Sequence, residues 1–331
     1  CHTMMGIGGA RIAPQLDLGM AGMHGAASAN RAVAQCDVLV AVGTRFSDRV
    51  ALTPREFAPG ARVIHIDIDQ SEVNKNVKTD VSLVGDVKKV LDKLLPLIRQ
   101  SSHIPWRQAI AAWQQEDFAP RDDSGRLKPH QIMETIGRLA GEEAIVTTDV
   151  GQHQIWAAQY LKRTQPRTFL TSGGLGAMGF GYGAAIGAKR ALPDRPVVHI
   201  TGDGSFHMNL NECCTAVTYG LPVVTVILNN RALGMVHQWQ HVFYEDRFSA
   251  TNLERRTDYP ALAKAFGADG ERCETLAQLE AALRRGLAAR TPYWIECVVD
   301  RDEKVMPMIP AGGTLDDMIT GKDCKEGCEK C

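Results

Sequence analysis

An aspartate set between two glycines, Gly202-Asp203-Gly204, is followed 27 residues after Asp203 by Asn230, the second of the pair Asn229-Asn230. Each motif ends a strongly apolar run, PVVHITGDG (196–204) and PVVTVILNN (222–230), and a helical stretch lies between the two runs. Strand, helix and strand in that order form a right-handed crossover, which places both strand ends on one edge of a parallel sheet. Asp203 and Asn230 then face one crevice with two hard oxygen ligands. That donor set suits Mg2+, which prefers oxygen, octahedral geometry and diphosphate oxygens as its remaining partners. Glycines on both sides of Asp203 let the backbone come close to phosphate. A lone Gly-Asp-Gly turn is commonplace; the asparagine pair at the end of the next strand makes the pattern specific.

The elements that must position this pair follow from the periodicity. VLVAVG (38–43) and RVIHIDID (62–69) read as buried strands of a parallel sheet, and 86–99 has helical spacing with Asp86 as its amino-terminal cap. A polar, proline-bearing stretch around 101–128 reads as a connector with one short helix. From Pro129 the alternation resumes: helix 130–140, strand 144–149, helix 153–161, a glycine-rich helix 174–191, strand 196–204, helix 207–219, strand 222–230, helices 259–266 and 276–289, and strand 293–299. Strict alternation implies an α/β chain with two doubly wound parallel-sheet domains. The expected boundaries are 1–100, a linker 101–128, a metal-binding domain 129–315 and a polar tail 316–331.

Bulk properties narrow the classes. Of 331 residues, 44% are hydrophobic and 23% charged, with a net charge of −1, so there is no basic field to draw nucleic acid or an anionic membrane. No apolar run approaches the roughly 20 residues that span a bilayer. Cys36, Cys213, Cys214, Cys273 and Cys297 sit in apolar segments and read as reduced core cysteines of a cytoplasmic enzyme. Cys324, Cys328 and Cys331 crowd a polar tail; three thiolates at that spacing can chelate zinc, but no fourth ligand stands nearby, and a disordered tail is expected.

The flanking segments make a resemblance specific. TDVGQHQIWAAQ (148–159), TSGGLGAMGFGYGAAIGAK (171–189), GDGSFHMNLNE (202–212), LNNRALGMVHQWQ (228–240) and VMPMIPAGG (305–313) resemble the catalytic subunit of the acetohydroxyacid synthase family, whose members use thiamine diphosphate. The resemblance implies that Asp203 and Asn230 bind Mg2+ by side chain and Ala232 by its backbone carbonyl. It implies that Gly151, Gln152 and His153, together with Gly204 and Ser205, meet the diphosphate. Met178 would wedge the cofactor into a bent form, Gly176, Gly234 and Met235 would line its pocket, and Trp239 would shape the site for a second keto acid. Met178, Met235 and Trp239 are thus the expected catalytic contacts.

The first half resembles the same family at its middle domain, through LGMAGMHGAASAN (18–30), GTRFSDRV (43–50) and HIDIDQSEVNKN (65–76), with departures at Ser47 and at Ala51-Leu52. There the resemblance implies FAD, contacted by Gly22, His24, Arg45 and Arg49. An acidic residue closing the strand, Asp67 or Asp69, can accept from a ribose, with Asp67 taken as the contact. The activity implied is decarboxylation of pyruvate and carboligation to a second pyruvate or to 2-oxobutyrate, at the start of branched-chain amino-acid synthesis. A homodimer or tetramer with its active site between subunits is implied, with a regulatory small subunit as a further partner. In the family, the glutamate that activates the cofactor belongs to an earlier domain. The chain, which opens on Cys1, is therefore expected to be a carboxyl-terminal fragment. The competing expectations are another enzyme of the superfamily, such as a glyoxylate carboligase or pyruvate oxidase, and a fragment that only holds Mg2+–diphosphate.

Overall fold

The computed structural model describes residues 1–117 and 125–320. Two compact units emerge. One gathers Cys1–Thr3, the residues from Pro14 through the third helix, and those from Met306 onward; the other gathers Met4–Ala13 and the residues from the fourth helix through Val305. The Cys324, Cys328 and Cys331 tail lies outside the described residues.

In the first unit, α1 (Ala27–Gln35) precedes β1 (Val38–Val42), β2 (Arg62–Asp67) and β3 (Val81–Val84), and α2 (Val87–Leu94) and α3 (Ile104–Gln114) follow. The strands are parallel in the order β1-β2-β3, a sheet that grows in one direction without reversal. Phe46, Val63 and Val77 pack with Ala41 and Ala51 against one part of it. Val38, Val40 and Val42, alternating along β1, are each about half exposed. Asp86 caps α2 by accepting from Lys89 N at 3.0 Å, as its sequence position implies. The helix expected over 86–99 stops at Leu94, because Pro96 brings no N–H and the chain tightens into a 3-10 turn over Leu95–Leu97. The stretch expected as a connector is partly packed: Asp117, just beyond α3, accepts from Ser28 N at 2.8 Å and from Ser28 Oγ at 2.6 Å. Residues after Met306 also belong here, with Ile309 N donating to Met23 O at 2.8 Å.

The second unit holds α4 (Pro129–Ala140), β4 (Ile145–Thr148), α5 (Gln152–Tyr160), β5 (Phe169–Thr171), α6 (Phe180–Ala191), β6 (Val197–Gly202), α7 (Asp203–Phe206) and α8 (Cys213–Thr218). Then come β7 (Val224–Asn229), α9 (Gly234–Phe243), α10 (Tyr259–Phe266), β8 (Asp269–Cys273), α11 (Leu276–Ala288) and β9 (Tyr293–Val298). Its six strands are parallel in the order β5-β4-β6-β7-β9-β8. Strands β4, β6, β7 and β9 are buried along nearly their whole length, which is why they read as unbroken apolar runs. Ile145, Val197, Phe206, Ile227 and Trp294 anchor the core.

Three expectations change here. The glycine-rich helix begins only at Phe180, since Gly176 (φ +64°) and Gly179 (φ +88°) hold the preceding residues in a left-handed loop. The helix expected over 207–219 is split into α7, a 3-10 turn at Leu210–Glu212 and α8. Strands β5 and β8 and helix α9 are additions to the expected elements; β5 is only three residues long, and β8, with the sequence DGERC, is an edge strand whose polar residues hide the usual apolar signal.

Candidate functional site

Strand order reverses between β4 and β6: the chain goes one way from β4 to β5 and the other way through β6 and β7. Ligands in open parallel sheets bind outside the carboxyl ends of the strands at such a reversal. Thr148 pairs with Ile200 and Gly202 with Leu228, so Asp149, Asp203 and Asn229-Asn230 leave three adjacent strands at one edge. The sequence pair is thus delivered to a shared rim.

Asp203 is 3% exposed, and its buried Oδ1 has no hydrogen-bond partner among the described residues. Burial pushes its carboxyl up to about 7, against the opposing pull of the Gly204 N–H and Arg255. A buried carboxylate oxygen left alone is costly and asks for a proton or a cation. Asn230 is also buried; its Nδ2 donates to Gln152 Oε1 at 3.1 Å, and its Oδ1 accepts from Ala232 N at 3.2 Å while keeping a second lone pair. A carboxylate, an amide oxygen and a nearby backbone carbonyl form an all-oxygen set that fits Mg2+. Among the described residues no three His, Cys, Asp or Glu side chains converge as metal ligands, here or elsewhere, so the set relies on the asparagine amide and the backbone.

The helix that follows β4 closes over this rim. Gly151 (φ +152°) turns the chain into α5. A Cβ on Gly151 would fall 2.9 Å from His153 Cε1, and one on Gly202 would fall 2.9 Å from His153 Nδ1, so both glycines make room for that ring. His153 Nε2 is buried without a partner among the described residues, and burial lowers the imidazole to about 4, which keeps it neutral at physiological pH. Gln152 is fully engaged: besides accepting from Asn230, its Nε2 donates to Gln238 Oε1 at 3.0 Å and to the Glu303 carbonyl at 2.9 Å.

Beneath the rim lies a second buried charge, which the sequence reading passed over. Asp149 Oδ1 accepts from Gly181 N at 2.6 Å and Oδ2 from Thr201 Oγ1 at 2.7 Å, and His199 Nε2 stands 3.4 Å from Oδ2. Burial alone would raise this carboxyl, but His199 and the two hydrogen bonds outweigh it and hold it well below the usual carboxylate range. The signal was available: a histidine in the middle of PVVHITG is a polar group in a buried strand and requires a partner.

The remaining residues sit around these. Gly204 and Ser205 are buried in α7, and Ser205 Oγ accepts from Gly179 N at 3.3 Å, which ties the loop before α6 to the rim. Gly234 and Met235 open α9 and are half-buried; Trp239 on the same helix is half-buried and edge-on to Phe243. Gly176 and Met178 lie in the loop before α6, and both are exposed. Hydrogen bonds and close approaches thus draw Gly151, Gln152, His153, Gly202, Asn230 and Gly234 together; among the described residues Met178 and Trp239 stand outside that set.

In the first unit, Gly43 N donates to Ile66 O, so Arg45 and Asp67 follow β1 and close β2 at one sheet edge. Asp67 Oδ1 accepts from Asp69 N at 2.9 Å, and Oδ2 stands 3.6 Å from His65 Nε2. Arg45 and Arg49 are exposed, with Arg49 paired to Asp48 at 2.9 Å. A Cβ on Gly22 would strike the Arg49 carbonyl, and Gly22 also exchanges hydrogen bonds with the Asn30 side chain. His24 is half-buried, with Nδ1 3.4 Å from the Pro307 carbonyl.

Comparison with known proteins agrees with this layout. The family described as "Thiamine pyrophosphate enzyme, C-terminal TPP binding domain" matches residues 149–297, and "Thiamine pyrophosphate enzyme, central domain" matches residues 1–94. The chain is 42% identical to the probable acetolactate synthase large subunit of Methanocaldococcus jannaschii, over 96% of this chain and 56% of that relative. It is 44% identical to the acetolactate synthase large subunit of Parasynechococcus marenigrum, over 96% and 52%. It is 41% identical to the acetolactate synthase isozyme 3 large subunit of Escherichia coli, over 97% and 58%. The chain thus spans a little over half the length of these relatives. With both domains matched and the Gly202-Asp203 and Asn229-Asn230 motifs delivered to one sheet edge, the chain belongs to the thiamine pyrophosphate enzymes, among the relatives of the acetolactate synthase large subunits.

Proposed function

We propose that this chain serves, within the protein it belongs to, the decarboxylation of pyruvate and its carboligation to a second 2-oxo acid, pyruvate or 2-oxobutyrate, giving 2-acetolactate or 2-aceto-2-hydroxybutyrate for branched-chain amino-acid synthesis. The reading rests on the buried, unpartnered Asp203 Oδ1 beside Asn230 at the strand-order reversal, together with the names its relatives carry. Mg2+ is held by Asp203, Asn230 and the Ala232 carbonyl. The diphosphate of thiamine diphosphate is met by Gly151, Gln152 and His153 at the start of α5 and by Gly204 and Ser205. His153, neutral through burial, serves there as a hydrogen-bond donor rather than a cation. Thiamine diphosphate, when bound, supplies the electron sink for loss of CO2.

Gly176, Met178, Gly234 and Met235 border the organic part of the cofactor and exclude water from it, and Trp239 selects the second 2-oxo acid. FAD is held beside the first sheet by Gly22, His24, Arg45, Arg49 and Asp67. The working assembly is a homodimer or tetramer, with a regulatory small subunit as partner, in the cytoplasm. The test is an anaerobic assay with pyruvate on the complete enzyme: acetolactate formed without oxygen uptake supports this reading. Oxygen-dependent turnover favours an oxidase of the same superfamily, and glyoxylate as the preferred substrate favours a glyoxylate carboligase.

A further inference from the structure

Buried amides near a metal ligand can be traced to backbone groups, which fix which end of each amide is oxygen. The Val305 carbonyl only accepts and the Val305 N–H only donates. Gln238 therefore turns Nε2 to the carbonyl (3.1 Å) and Oε1 to the N–H (2.8 Å). Its Oε1 also accepts from Gln152 Nε2 at 3.0 Å. Gln152 is fixed a second time, because the Glu303 carbonyl can only accept from its Nε2, at 2.9 Å. Gln152 Oε1 is then left to face Asn230, which must offer Nδ2 to it, at 3.1 Å. Asn230 Oδ1 is thereby turned away from Gln152, toward Ala232.

We infer that Gln238 is a positioning residue for the metal site, acting through Gln152 to hold the Asn230 carbonyl oxygen toward the ion. This rests on the assignment of Asn230 as a Mg2+ ligand. Gln238 is 2% exposed and Gln152 4%, so solvent does not compete for these bonds. An independent observation agrees. A Cβ on Gly234 would land on Gln152 Oε1 and 2.7 Å from Asn230 Nδ2, so the absence of a side chain at 234 leaves room for the Asn230–Gln152 bond. The strap Glu303–Val305 thus sets the polarity of a ligand on β7 by way of α9 and α5.

The test is a calorimetric titration of Mg2+ into the 331-residue chain with thiamine diphosphate, for the parent, Gln238→Met, Gln238→Glu and Asp203→Asn. Gln238→Met removes every hydrogen bond and should weaken Mg2+ binding about tenfold, the lower end of the cost of losing an outer-shell partner. Gln238→Glu keeps acceptors for Gln152 and Val305 N and, protonated in this buried place, an O–H donor for the Val305 carbonyl, so at about pH 6 or below it should restore affinity to within about threefold of the parent. A purely structural role would lower thermal stability without this split. If Asp203→Asn abolishes Mg2+ binding while Gln238→Met binds like the parent, or if Glu is no better than Met at 238, the relay is overturned and the metal site stands. If Asp203→Asn also binds like the parent, the metal assignment falls and takes the relay with it.

Discussion

The two sheets carry their polar residues in opposite ways. At the carboxyl edge of the six-stranded sheet, Asp149, His153, Asp203 and Asn230 are all under 10% exposed, and Asp203 Oδ1 and His153 Nε2 have no hydrogen-bond partner among the described residues. At the edge of the three-stranded sheet, Arg45 and Arg49 lie in solvent, and Asp67 binds within its own turn. The strand orders differ too, since one sheet reverses and the other does not. A reversal opens a crevice between diverging connections, where water can be stripped from a cation and a diphosphate. A sheet that grows one way offers a rim at which exposed guanidinium groups can grip phosphate without desolvation. Substitutions should therefore be severe at the first edge and mild at the second.

The largest effect expected is from Asp203→Asn. Replacing a charged hard ligand by a neutral one should weaken Mg2+-dependent binding of thiamine diphosphate by about 100-fold, read by calorimetry. Equal affinity would erase the contrast between the sheets.

Asp149→Asn comes next and acts on stability. Its carboxyl is held below its ordinary value in the fold, so its contribution is present above about pH 4 and is lost as pH falls through the lowered folded value. Removing one partner of a buried pair should cost about 3 kcal/mol at pH 7 by urea unfolding. The acid-side decline of the parent should flatten in the variant. A variant with the parent's stability and pH profile would show that the Asp149 carboxyl is not held ionised by the fold.

Arg45→Gln and Arg49→Gln should change folding stability by no more than about 0.5 kcal/mol, as exposed substitutions do. Each should weaken FAD binding by about fivefold, measured by flavin fluorescence, in keeping with an exposed ion pair of at most about 1 kcal/mol. A loss of 100-fold would make this edge resemble the other. Trp239→Leu should leave cofactor affinity nearly unchanged while altering the ratio of products from pyruvate and 2-oxobutyrate. An unchanged product ratio would remove Trp239 from substrate selection.

Much of this contrast was legible in the residues. The runs ending in Gly202-Asp203 and Asn229-Asn230 are apolar enough to be read as buried parallel strands, and their shared edge follows from the crossover rule. The start of α6 was not legible, because glycine tolerates both the helix and the left-handed loop that Gly176 and Gly179 adopt. Strand β8 was hidden by its charges, which an edge position allows. The packing of the residues after Met306 with the first unit rests on long-range contacts such as Ile309 to Met23, which leave no local pattern. Within the site, types and spacing singled out Asp203 and Asn230, but not Asp149, His199 or Gln238. Those three act through partners far along the chain, and only the fold brings these together.

The central claim is that Asp203 and Asn230 share one cation at the reversal of the second sheet. Crystals of the chain grown with Mn2+ and thiamine diphosphate would test it by anomalous diffraction. The expected result is a single manganese peak roughly 2.1 Å from both Asp203 Oδ1 and Asn230 Oδ1, near the spacing a hard octahedral cation requires. A peak ligated by neither residue, with diphosphate bound elsewhere, would contradict it.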